Sequence, residues 1–72
     1  MSNARKATRA RQLEQKQLYN EVYSLRCTLD ELYARFDMVT DESQVDACIY
    51  ELNATLAKYD YTLKCLKAFD VS

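Results

Sequence analysis

Apolar residues recur through the second half of the chain at Val45, Ile49, Leu52, Leu56, Tyr59, Leu63 and Leu66, in steps of 4, 3, 4, 3, 4 and 3. This is the heptad spacing of a helix that lays one stripe against another helix. The first half carries the same rhythm at Leu18, Val22, Leu25, Leu29, Leu32 and Phe36. Continued upstream, that register meets Gln15 and Arg11 where apolar residues would be needed, and Leu13 lies off the stripe. The packed part of the first helix is therefore predicted to begin near Gln15.

Between the two seams the pattern breaks, across residues 37–43. Thr40 and Asp41 are good N-cap residues, and Asp41 followed by Gln44 is a variant of the capping box. Glu42 and Asp46 add negative charge to the first turn beyond, where the helix dipole favours it. The acidic cluster of Asp37, Asp41, Glu42 and Asp46 lacks the alternating carboxylates and central glycine of a calcium loop, so capping is the better account of it. A connection this short makes the helices antiparallel neighbours. The expected fold is all-α: an antiparallel two-helix hairpin, coiled-coil-like, with helix 1 over about 13–38, a turn at 38–41 and helix 2 over about 42–68. Residues 1–12 are expected to form a basic N-terminal arm, frayed or disordered.

The seams do not use all the apolar surface. Tyr50, Ala54, Ala57 and Tyr61 follow steps of 4, 3 and 4 and make a second, flatter stripe on helix 2, while Tyr19 and Tyr33 are left over on helix 1. Small residues flanked by tyrosines let another helix approach closely, and tyrosine suits interfaces because its ring is apolar and its tip polar. The alternative is one widened core with the tyrosine rings lying across its edges. A two-helix unit of 72 residues rarely stands alone, so these six residues are the candidate interface, and two hairpins pairing into a four-helix bundle would bury them.

Composition supports the helices and removes most chemistry. Glycine, proline and histidine are all absent. No glycine-rich loop can cradle a phosphate, no histidine can pair with a nucleophile, and a bundle di-metal site would lack its Glu-x-x-His motifs. No catalytic residue, cofactor or metal site is expected, and the chain is read as a non-enzyme. The three cysteines, Cys27, Cys48 and Cys65, are odd in number and have no Cys-x-x-Cys spacing; they are read as reduced thiols of a cytoplasmic protein, with Cys27 and Cys65 outward and Cys48 beside the seam. No apolar run approaches the ~20 residues of a membrane span.

Charge adds one asymmetry to a net of −1. Residues 1–16 hold Arg5, Lys6, Arg9, Arg11 and Lys16 against Glu14 alone, and the remainder is acidic. A basic arm on an acidic body can contact nucleic acid, which makes Arg5, Lys6, Arg9 and Arg11 the candidate contacts, although a solvated helix start accounts for them as well.

The second helix resembles the YaaL-like family of small uncharacterised Gram-positive bacterial proteins. Thr40, Asp41, Val45, Asp46, Ile49, Tyr50, Glu51, Leu52, Ala54, Lys58, Tyr59, Leu63 and Lys64 match its pattern. Glu42 stands where that family often has proline, and Thr62 replaces one of its paired leucines. The likeness covers about half the chain and implies a helical pair in a bacterial cytoplasm, with no activity attached. A weaker likeness is to the aspartyl-phosphate phosphatase hairpins of the sporulation phosphorelay. Of their Ser-Gln-Glu-Leu-Asp block only Glu51 and Leu52 match; Ile49 stands for the serine and Asn53 for the aspartate, and an amide cannot act as a general base. The expected function is a self-associating, homodimeric interaction or regulatory module with a further protein partner unidentified. The alternatives are a nucleic-acid- or ribosome-associated module working through the basic arm, which is not favoured, and a regulator docking on a two-component or phosphorelay protein.

Overall fold

The computed structural model describes the backbone of residues 2–71 and the side chains of residues 8–69. Two helices make up the fold, α1 (Ser2–Met38) and α2 (Glu42–Val71), packed against each other with no strand among the described residues. This is the all-α hairpin that the two heptad seams predict. Its principal extents are 61 × 15 × 14 Å and its radius of gyration is 17.2 Å. A compact 72-residue domain would have a radius of gyration near 11 Å. The molecule is a rod two helices wide.

The turn follows from ordinary residues. The Val39 amide donates to the carbonyl of Arg35 at 3.1 Å and closes α1, with Arg35 itself in the last turn, where a cation suits the helix dipole. Asp41 is the N-cap of α2: its carbonyl accepts the amide of Val45 at 2.9 Å, and its carboxylate accepts the hydroxyl of Ser43 at 2.8 Å. No described residue takes a positive φ, so the chain reverses without glycine. The backbone of α1 is helical from Ser2 and that of α2 continues to Val71. The side chains of Arg5 and Lys6 lie outside the described residues. At 37 residues against 30, α1 is the longer helix by about two turns, roughly 10 Å.

The seam of α1 is the predicted one as far as Leu32; Phe36, expected in it, is 37% exposed. Gln15, Leu18, Val22 and Leu25 are half-buried, and Leu29 and Leu32 are buried. On α2 the period is right and the phase half right. Val45, Leu52, Tyr59 and Leu66 point inward as expected, and Leu63 is half-buried, but the other alternate positions are Cys48, Thr55, Thr62 and Phe69, not Ile49 and Leu56. Cys48 is 5% exposed and Thr62 4%, whereas Ile49 is 42% and Leu56 39% exposed. Cys48, expected beside the seam, lies in it.

The reason is volume. In the antiparallel register set by Arg35 on Glu51 and by Arg11 on Phe69, the small residues Cys48, Thr55 and Thr62 lie level with Phe36, Leu29 and Val22. Small residues there let the helix axes come close. Thr62 resolves its buried hydroxyl by donating to the carbonyl of Lys58 at 2.8 Å, and no buried side-chain polar atom among the described residues lacks a partner. The core is thin. Leu29, Leu32, Cys48 and Leu66 are its buried apolar residues among those described, and no large side chain there is fully enclosed.

Placing a carboxylate in the seam tests this phase. Thr62→Asp is expected to cost about 3 kcal/mol or more, since it buries an unpaired charge, and to abolish most of the helical circular-dichroism signal. Tyr61→Asp, one residue away at a 69% exposed position, is expected to stay within about 0.5 kcal/mol of the parent in urea melts. A separate series on the turn should show Asp41→Ala losing about 1 kcal/mol, the usual cost of an N-cap.

Candidate interaction surface

Heptad letters sort the surface. With Gln15, Val22 and Leu29 of α1 and Val45, Leu52 and Tyr59 of α2 taken as a positions, the inward alternates are d. The e positions are then Tyr19, Arg26 and Tyr33 on α1 and Ile49, Leu56 and Leu63 on α2. In an antiparallel pair, e positions of the two helices share one flank and g positions the other. The ion pair between Arg35 Nη1 and Glu51 Oε2 at 3.5 Å joins two g residues and fixes which flank is which. Both partners are more than half exposed, so this bridge orients more than it stabilises.

The six predicted interface residues therefore fall on two faces. Tyr50, Ala54, Ala57 and Tyr61 share the outward back of α2, and all four are exposed, Tyr50 to 77%. Tyr19 and Tyr33 do not join them. They lie at e positions of α1, on the flank that also carries Ile49 and Leu56, two leftovers that arise because the α2 seam is shifted by one residue. Periodicity alone assigned Ile49 and Leu56 to the core and so missed them as surface.

Of the four basic candidates, Arg9 is exposed and Arg11 is engaged. The guanidinium of Arg11 lies over the ring of Phe69 at 4.9 Å from its centroid, a cation–π contact that ties the free end of α2 to α1. Arg11, Glu14, Thr8 and Phe69 line an open groove at this end of the rod. At the other end a groove of about 320 Å³ lies between Arg35, Val39, Gln44, Ala47, Cys48 and Glu51, on the g flank beside the turn. It holds one carboxylate, one guanidinium and a buried thiol, with no nucleophile–base pair. Among the described residues no group of three metal-binding side chains converges, and no helix is long and apolar enough to cross a membrane.

A family model described as "Protein of unknown function (DUF2508)" matches residues 1–72. The chain belongs to the DUF2508 family. Neither comparison with curated proteins nor comparison with solved structures returns a match. Membership in DUF2508 attaches no activity to the chain. The exposed features of this DUF2508 protein are two apolar faces, one on the back of α2 and one on the e flank.

The three thiols sit in graded environments, since Cys27 is exposed, Cys65 half-buried and Cys48 buried in the seam. Alkylation followed by mass spectrometry is expected to modify Cys27 first and Cys48 last, with the rate at Cys48 following unfolding as urea is added. Equal rates at all three would contradict the placement of Cys48.

Proposed function

We propose that this protein is a non-catalytic interaction or regulatory module that self-associates and offers the back of α2 to a protein partner. The observation that carries the proposal is the exposed stripe of Tyr50, Ala54, Ala57 and Tyr61 on a rod whose described residues show no reaction centre. Two tyrosines flanking two alanines form a shallow channel, into which a partner helix can settle with close backbone approach. A single hairpin buries little, and its surface is large for its mass. An 8.4 kDa folded monomer is expected to expose about 4,600 Å²; this chain exposes 6032 Å². The surplus, about 1,400 Å² on one chain, exceeds the ~800 Å² that each partner of a standard interface buries. A cytoplasmic setting in a Gram-positive bacterium, and kinship with the YaaL-like proteins, belong to the same reading.

In the nucleic-acid alternative Arg9 and Arg11 are exposed, with Arg11 lying over the ring of Phe69. The phosphorelay alternative keeps the hairpin shape alone, since Asn53 stands where that family's aspartate would be.

Affinity capture from the native cell tests the proposal, comparing the intact chain with Tyr50→Ala/Tyr61→Ala. A partner held by the former and released by the latter, with helicity unchanged in both, is expected. Equal recovery with both chains would remove the stripe from the function.

A further inference from the structure

We infer that two copies of this chain pair side by side and antiparallel through the b edge of α1. Tyr23 of each copy then lies at the two-fold axis, Arg9 of one copy faces Asp37 of the second, and Lys16 faces Asp30. The inference rests on the self-association in the reading above and assigns it to a different helix from the Tyr50/Tyr61 stripe.

The b positions of α1 are Arg9, Lys16, Tyr23, Asp30 and Asp37: two cations, a tyrosine and two anions at intervals of seven. Residues seven apart stack into one line along a helix of this kind. All five are exposed, Tyr23 to 72%. Lys16 and Asp30 stand equally far from Tyr23 on either side, and so do Arg9 and Asp37. Reversed end for end, the line carries the opposite sign at every charged position, so it is its own complement. None of these four charges makes an ion pair within its own chain among the described residues. Copies laid parallel would set Arg9 on Arg9 and Asp37 on Asp37, like charge on like. The antiparallel setting satisfies all four charges of each copy in a single register.

The neighbouring lines keep that register. With Tyr23 on the axis, Tyr19 at an e position comes level with Arg26 of the second copy, where a guanidinium can lie over the ring. The two Arg26 side chains stay about 9 Å apart along the axis. On the other side, at f positions, Leu13 comes level with Ala34 of the second copy and Asn20 with its Cys27. Leu13 is 58% exposed and has no place in the hairpin's own seam. The residues that face it are small and let the helices approach. The b positions of α2, Asp46, Asn53, Asp60 and Lys67, lie across the e flank on the other helix and outside this contact. From Arg9 to Asp37 the line is about 42 Å long, and one helix is about 10 Å wide, so the contact covers roughly 400 Å² per copy. That is the small end of specific interfaces, and the dimer is accordingly weak. Its charges set orientation more than strength, and they make it sensitive to salt.

Sedimentation equilibrium of the full chain tests the pairing. At about 100 µM and low salt the parent is expected to be a dimer, with a constant on the order of 10 µM. Raising salt from about 50 to about 500 mM should weaken it about tenfold. Arg9→Glu/Lys16→Glu and Asp30→Lys/Asp37→Lys should each weaken self-pairing at least about tenfold, and an equimolar mixture of the two variants should pair again. All four reversals in one chain rebuild a self-complementary line and should restore the dimer. The reversed residues are exposed and outside the seam, so helicity is expected to stay at the parent's level. Tyr50→Ala/Tyr61→Ala should leave dimerisation unchanged. Orientation is read from a spin label at Thr40→Cys in a chain with Cys27→Ser, Cys48→Ala and Cys65→Ser. Turns at opposite ends set the labels about 50 Å apart, and a distance below about 25 Å overturns the inference. A dimer indifferent to salt and to both double reversals, or one that the fourfold reversal fails to restore, also overturns it and leaves self-association standing. A parent that is monomeric at about 100 µM removes both, and neither result depends on the capture experiment with the Tyr50/Tyr61 stripe.

Discussion

One seam holds this molecule together. Two helices of 37 and 30 residues pack on each other alone, and the buried apolar residues of their seam, among those described, are Leu29, Leu32, Cys48 and Leu66. Everything else follows from how narrow that seam is. A two-helix contact shields one stripe of each helix and leaves the larger part of each circumference in water, so exposed apolar residues are a consequence of the architecture. What calls for explanation is their arrangement in strips, since scattered surface tyrosines would need none.

The period of the seam was legible in the sequence, and its phase on α2 was not. A 4–3 alternation can be drawn through Ile49, Leu56 and Leu63 or through Cys48, Thr55 and Thr62, because both sets share Val45, Leu52, Tyr59 and Leu66. Hydrophobicity prefers the first set. The structure takes the second, whose small residues lie level with Phe36, Leu29 and Val22 and let the axes approach closely. That preference depends on the facing helix, and no window on α2 alone contains it. Thr62 shows the point most sharply: a polar residue that reads as an interruption is among the most buried in the chain, with its hydroxyl returned to its own helix through Lys58.

The same shift reshapes the surface. The Tyr50, Ala54, Ala57 and Tyr61 stripe could be read directly, since those residues stay outward in either phase. The e flank could not, because half of it had been assigned to the core. The basic segment was legible as composition, yet its helical backbone and the contact of Arg11 with Phe69 depend on α1 continuing past the last leucine of its seam and on α2 reaching back to meet it. Local sequence between residues 1 and 12 records neither.

That continuation gives the first turns of α1 an unusual standing. A free peptide of their length would not hold a helix, because the cost of starting one exceeds what a few hydrogen bonds return. Joined to a helix that the seam has already started, they need only extend it. Their order is borrowed from a contact that begins a full turn or more downstream, and Arg11 on Phe69 is the last point at which the loan is secured. Any event that loosens the leading edge of the seam, around Gln15 and Leu18, therefore reaches the contact of Arg11 with Phe69 one turn upstream.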